Sequence, residues 1–223
     1  MEVGGMNYLI EFLPLFFKGV VMTIQIFLAA TFFSYIVGTL CGVFICNHLK
    51  LPLISSIIEM ITFILRAVPF YVQLLIVYFV LPDLIGYNFN PFVASILALG
   101  MCSSGYIAQI TRGGINSLHL SQWEAAYVLG LNKIQSFIYI IFPQTFKNVL
   151  PMVNNECDSI LKSTAVTSSI GLLELTRVGM NIISREMQPI PIYLGVAFFY
   201  ICLSFLLNLS TRYLERRFSY AKT

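Results

Sequence analysis

Residues Ser121–Pro143 read SQWEAAYVLGLNKIQSFIYIIFP, and in a very apolar chain this is the stretch whose punctuation allows assignment element by element. Ser121 followed three residues later by Glu124 is the pattern of a capping box, in which the hydroxyl accepts from the third helical amide and the carboxylate returns to the Ser121 amide. A helix is therefore predicted, with Trp123–Leu129 as its body. Gly130 falls where a left-handed residue closes a helix. Asn132 and Gln135 repeat the start signal. A second short helix, Lys133 to about Phe142, should stop where Pro143 removes a donor and disfavours helical backbone before it. Two short helices joined at a glycine elbow make a compact knob.

The surroundings of the knob follow from composition. Of 223 residues, 58% are hydrophobic and 10% charged, and the mean hydropathy is +0.84, which leaves too little polar surface to coat a soluble globule. The predicted fold class is an all-α integral membrane protein, a single domain over residues 1–223 with room for five or six spans at about 20 apolar residues each. No two-residue alternation marks barrel strands. The five cysteines, Cys41, Cys46, Cys102, Cys157 and Cys202, show neither disulfide nor metal-ligand spacing and read as small apolar packing residues. The amino-terminal MEVGGMNYLIEFL lacks the basic flank and cleavage site of a signal peptide, so the first apolar run is expected to be retained. A net charge of +3 is too modest for nucleic-acid binding and informs topology instead.

Apolar runs at roughly Leu13–Cys46, Leu51–Leu81, Pro91–Ile110, Val149–Leu172 and Ile190–Leu209 predict five transmembrane helices. An odd count puts the two ends on opposite sides. Lys50, Arg112, Lys133, Lys147, Arg212, Arg216, Arg217 and Lys222 fall in one set of loops and the tail; Lys18, Arg177 and Arg185 fall in the other, with Asp83, Glu174 and Glu186. The bias of basic residues places the knob, about 119–143, and the carboxyl tail in the cytoplasm, with the amino end outside. Gly38 and Gly42 in the first span are spaced for a close helix contact. Gly113-Gly114, ending the third, is either a hinge or a place of close packing. His48 and His119 read as solvated surface residues.

Two spans carry polar stripes. Glu59, Arg66 and Gln73 are seven apart and share a face in the second, with Thr62 between the first two. Asn155, Ser159 and Lys162 line one face of the fourth, flanked by Glu156 and Ser163, and Asp158 stands four before Lys162. A charge at mid-bilayer costs about 2.5–3.5 kcal/mol on insertion scales, so such faces should look toward a partner or a polar cavity. Arg66, Gln73, Asn155, Glu156, Ser159, Lys162 and Ser163 are therefore the candidate ligand-binding residues. A Glu59–Arg66 ion pair that braces the bundle and a self-satisfied network between spans are the bland alternatives. Pro69 should kink the second span beside Arg66.

Glu124-Ala125-Ala126, Gly130, Ile140 and Pro143 resemble the EAA loop of the membrane subunits of bacterial ABC importers, with Phe142 where that family writes Leu. LRAVPFYVQLLIVYF resembles the Arg-Gly-Thr-Pro span of the polar amino acid permeases, with Ala67 and Val68 at the Gly and Thr positions. NNECDSILKSTAVTSSIGLLELTR resembles their fourth-span block, with Ser163 where they often have Asp. The resemblance implies a type I ABC importer-like permease subunit in a bacterial inner membrane. Ser121, Glu124, Ala125, Ala126, Gly130 and Pro143 would form the coupling helix that seats on an ATP-hydrolysing subunit. It also implies an extracytoplasmic solute-binding protein, a second permease copy or a paralogue, membrane lipid around the spans and an amino acid substrate. The chain has no phosphate-cradling G-x-x-x-x-G-K-[ST] loop, so it is expected to bind no cofactor itself and to leave ATP and Mg to the partner ATPase.

A zwitterionic substrate needs both charges matched once it leaves water. Arg66 offers a fork for the α-carboxylate, Glu156 an acceptor for the ammonium, and Ser163 a neutral hydroxyl near the side chain, which favours a neutral or acidic amino acid. An intramembrane enzyme using Glu59, Glu156 or Asp158 is disfavoured because no Ser-His, Cys-His or His-rich constellation lies in any span. An ion-coupled carrier acting alone is disfavoured because neither internal repeats nor a larger span count is present.

Overall fold

The computed structural model describes residues 11–219; the start of the amino-terminal segment and Lys222 of the basic tail lie outside them. All regular structure among the described residues is helical, with no strand. The chain runs α1 (Leu13–Phe44), α2 (Pro52–Ala67), α3 (Phe70–Leu75), a π-turn Ile76–Val80, α4 (Leu81–Ile85) and α5 (Pro91–Asn116). The knob helices α6 (Leu120–Val128) and α7 (Lys133–Ser136) follow, then a second π-turn Phe137–Ile141, α8 (Phe142–Ser163), a 3-10 segment Thr164–Ile170, α9 (Leu175–Glu186) and α10 (Pro189–Ser219).

Helices α1, α5 and α10 up to Arg217 are long and apolar enough to cross a membrane, and a fourth crossing results if Pro52–Ala67 and Phe70–Ile85 are joined. Helix α8 does not pass the same test, because its 22 residues include Lys147, Glu156, Asp158 and Lys162. Five crossings are thus not reached by length and apolarity alone. The break in the second span lies where Pro69 predicted it. Helix α2 ends at Ala67, and Val68 is extended at φ −83, ψ 129, as the residue before a proline prefers. Gln73 therefore does not share a continuous helix face with Glu59 and Arg66.

The chain divides into two compact units. One comprises the residues up to Thr31, Pro69–Gly100 and Asp158–Leu209; the other comprises Phe32–Val68, Met101–Cys157 and the residues from Ser210 on. In the first unit Phe16, Leu175, Ile182, Ile192 and Val196 form one apolar cluster, and Leu74, Val77, Ala94, Ala98 and Ile170 form another. Thr23, fully buried, accepts a hydrogen bond from the Leu175 amide at 3.2 Å and so ties α1 to the start of α9.

In the second unit α5 is the central element. A Cβ on Gly38 would stand 2.6 Å from Ile107 Cβ, and one on Gly42 2.6 Å from the Ala108 carbonyl oxygen, so the spacing in α1 does serve a close helix contact. A Cβ on Gly114 would sit 2.2 Å from Val149 Cγ1 of α8, whereas nothing lies near Gly113. Of the glycine pair, one position is therefore a packing requirement. Phe32 of α1 is 70% exposed, an arrangement that suits hydrocarbon rather than water.

Candidate functional site

The knob forms in the second unit with two departures from its predicted outline. Helix α6 starts at Leu120 with His119 as its N-cap, and no side chain caps it. The Ser121–Glu124 box is not made, because Ser121 is already inside the helix. At the other end Gly130 adopts φ +77, its amide reaching the Tyr127 carbonyl at 2.9 Å and the Leu131 amide reaching that of Ala126 at 3.1 Å. This paired closure needs a residue that tolerates the left-handed region.

The second box does form, with the Gln135 amide donating to Asn132 Oδ1 at 2.9 Å and the Asn132 amide to Gln135 Oε1 at 3.0 Å. Pro143 does not end the helix it follows. The π-turn Phe137–Ile141 intervenes and Pro143 falls in the first turn of α8, where a missing amide is tolerated. The knob thus runs directly into the fourth predicted span.

The knob has two faces. Trp123 and Ala126 are buried, whereas Val128, Leu129, Ile134 and Tyr139 are exposed, Val128 at 88%. Glu124 and Ala125 are exposed. Gln144 Nε2 of α8 donates to Gln122 Oε1 at 3.2 Å. His48 is not a solvated loop residue: its ring stacks on Trp123 with centroids 4.8 Å apart. Nothing in the amino-acid order points to this pair beyond the fact that Trp123 is the chain's single tryptophan.

The polar residues of the second unit separate across α5. Glu59 pairs with Arg112, not with Arg66. Arg66 donates through Nε to the Thr62 carbonyl at 3.2 Å, accepts at its own carbonyl from Tyr106 at 3.5 Å, and meets no carboxylate within 4.0 Å among the described residues. Its stem lies over Gly105, where an added Cβ would come within 3.1 Å of Arg66 Cγ. Glu156 of α8 lies beside Ser103 of α5.

Two positions apart on a helix lie about 200° apart at 3.6 residues per turn. Gly105, beneath the stem of Arg66, and Ser103, beside Glu156, therefore face opposite sides of α5. Asn155 is exposed.

In the first unit Gln73 is buried, Ser159 exposed and Ser163 half-buried. Lys162 Nζ is paired with Asp158 Oδ2 at 2.5 Å, so the expected neutralisation within the fourth span is present. The same unit holds a buried carboxylate whose role the sequence did not show. Glu174, fully buried, caps α9 by accepting from the Thr176 amide at 2.8 Å and the Arg177 amide at 2.7 Å, and it accepts from Tyr200 Oη at 3.0 Å. Burial pushes its pKa upward, against the pull of those donors. A cavity of about 220 Å³ lies between Phe12, Lys18, Leu173, Val178, Arg185 and their neighbours. None of the expected substrate-binding residues lines it.

Residues 34–220 match the family of binding-protein-dependent transport system inner membrane components. The chain belongs to that family. The glutamine transport system permease protein GlnP of Escherichia coli (strain K12) is 32% identical over 214 residues, covering 92% of this chain and 93% of that one. The arginine transport system permease protein ArtQ of Bacillus subtilis (strain 168) is 32% identical over 165 residues, 74% of each chain.

Among solved structures, an amino acid ABC transporter crystallised with histidines superposes with a TM-score of 0.87 at 30% identity over 97% of this chain and all of that one. An inward-facing MetNI methionine ABC transporter superposes at 0.82 over 93% of this chain and 98% of that one, with 16% identity, and supports the fold alone. As an inner membrane component of this family, the chain is a permease subunit of an ABC importer. It is not the enzyme: ATP is bound and hydrolysed by a separate subunit, and a solute-binding protein belongs to the same kind of assembly.

Proposed function

We propose that residues 1–223 form one membrane-spanning permease domain of an importer for polar amino acids. It crosses a bacterial inner membrane five times with its amino end outside, and works as a dimer with a second copy or a close paralogue. Helix α8 supplies the fifth crossing despite its charges, since Lys162 is paired with Asp158 and Glu156 lies beside Ser103 rather than facing lipid alone.

The observation that carries this proposal is the two-faced knob. One face, through Trp123 and Ala126, is buried in the permease, and the other offers Val128, Leu129 and Ile134 to a partner. Exposed apolar side chains gathered on a rigid helix pair suit a groove on the ATPase. Differential contact there in two nucleotide states shifts the bundle between openings.

For the substrate we propose Arg66 as the anion-recognising group, because its guanidinium meets no carboxylate among the described residues and its stem is fixed over Gly105. The ammonium partner then comes from elsewhere than Glu156 of the same copy. Ser163, a neutral hydroxyl, favours a neutral or acidic polar amino acid, and glutamine fits the name of one relative. The test is uptake by the complex reconstituted with its ATPase and solute-binding protein across an amino acid panel. Glutamine or glutamate is expected to lead, with Arg66→Ala reducing uptake at least tenfold. Preferential arginine uptake, or full activity of Arg66→Ala, contradicts this assignment.

A further inference from the structure

Trp123 is the largest fully buried side chain in the described structure, 1% exposed. It sits in a cup with Cys46, Ile115 and Ile141, rimmed by Val43, Leu118 and Phe137. Those residues belong to the end of α1 and the loop after it, the end of α5, and the π-turn that leads into α8. A single side chain of the knob is therefore packed in one cluster with the ends of α1 and α5 and with the turn that leads into α8.

The indole Nε1–H is buried and finds no hydrogen-bond acceptor among the described residues. The ring is held by shape and by stacking, and the stacking partner is His48, with an interplanar angle of 26°. His48 rides on a loop pinned at both ends. The Asn47 amide donates to Asn116 Oδ1 of α5 at 3.1 Å, and Ser55 of α2 accepts from the Leu51 amide at 2.9 Å while donating to the Phe44 carbonyl at 2.6 Å.

We propose that Trp123 is the pivot through which displacement of the knob reaches α1, α5 and α8, and that His48 is a positioning residue that fixes the plane of the indole. A close-packed aromatic plug is bistable rather than compliant, so a tilt of the exposed face is passed to the helix ends instead of being absorbed. An indole without a hydrogen bond is oriented by packing and stacking alone, so loss of its stacking partner loosens the plane of the ring. The first cytoplasmic loop thus belongs to the coupling device. This inference rests on the coupling role proposed above for the knob.

The test uses the full complex with its ATPase and solute-binding protein in proteoliposomes, reading amino acid taken up per ATP hydrolysed. The variants are His48→Ala, His48→Phe, Trp123→Leu, Trp123→Phe, the double His48→Ala/Trp123→Leu, and Gly130→Val. His48→Ala is expected to lower uptake per ATP about fivefold or more, and His48→Phe to restore it to within about twofold, since a flat ring suffices. Trp123→Phe should stand between wild type and Trp123→Leu, and the double variant should be no worse than Trp123→Leu, because both act on one contact.

Wild-type ratios for His48→Ala and Trp123→Phe alongside an uncoupled Gly130→Val overturn the pivot and leave the knob's role intact. Wild-type ratios for Gly130→Val overturn both. Equal losses in His48→Ala and His48→Phe overturn the stacking role, since a bulk-retaining ring should rescue it.

Discussion

At the scale of single residues, bonds formed by side chains decide which substitutions matter. Asn132→Ala removes an observed N-cap and should cost about 1 kcal/mol of local helix stability, whereas Ser121→Ala removes no cap and should lie within about 0.5 kcal/mol. Thermal melts of the purified variants in detergent check the ordering; a larger loss for Ser121→Ala contradicts it. Gly130→Val places a β-branched residue at φ +77, which it adopts only with strain. It should leave insertion intact while lowering transport at least tenfold, read as uptake by normally expressed protein.

The two starts were not equally legible because a capping pattern names the residues but not the register. Leu120 joins α6 ahead of Ser121, and the pattern shifts inside the helix. His48 on Trp123 was not legible at all. Stacking joins residues on separate elements, and a lone histidine in a polar loop carries no mark of what folds over it.

At the scale of elements the two prolines teach opposite lessons. Pro69 breaks its span as a proline inside an apolar run should, while Pro143 continues into α8 because a π-turn precedes it and places it in a first turn. Sequence periodicity cannot separate these cases, since both read as apolar residues flanking a proline. The α1–α5 contact was legible, because two glycines four apart have few other uses in an apolar helix. Gly38→Val should expel that contact and cost on the order of 1–3 kcal/mol or more through overpacking, seen as a lowered Tm or loss of assembled complex.

The cap of α9 gives a pH dependence. Burial raises the Glu174 pKa in the folded state above the ordinary carboxylate value of about 4.5, so the folded chain binds the proton more tightly than the unfolded one. Its contribution is fully present below about 4.5 and is lost as pH rises through the folded value. Glu174→Ala should flatten the fall of Tm that begins at about pH 4.5 and ends above the folded value, while lowering Tm throughout, because three donors lose their acceptor. An unchanged slope in Glu174→Ala contradicts the burial effect.

At the scale of the whole molecule, the family and the all-helical architecture were legible because apolar runs and the Glu124–Pro143 spacing are local signals. The number of crossings was less so, since α8 mixes charge with apolar surface and only its partners decide where it sits. The placement of Arg66 and Glu156 about α5 was not legible, because a face assigned along one helix says nothing about which side of α5 that helix will occupy.

Orientation is checked by single-cysteine labelling in a background without the native cysteines. A cysteine at Lys133 should resist an impermeant maleimide in intact cells and react once the membrane is opened; reaction from outside contradicts the proposed topology. The importer itself is tested by uptake into proteoliposomes holding this chain with its ATPase, the solute-binding protein being added outside. Amino acid accumulation that requires enclosed ATP and the binding protein, and that is abolished by Gly130→Val, is the predicted result. Accumulation driven by an ion gradient in vesicles holding this chain alone would contradict it.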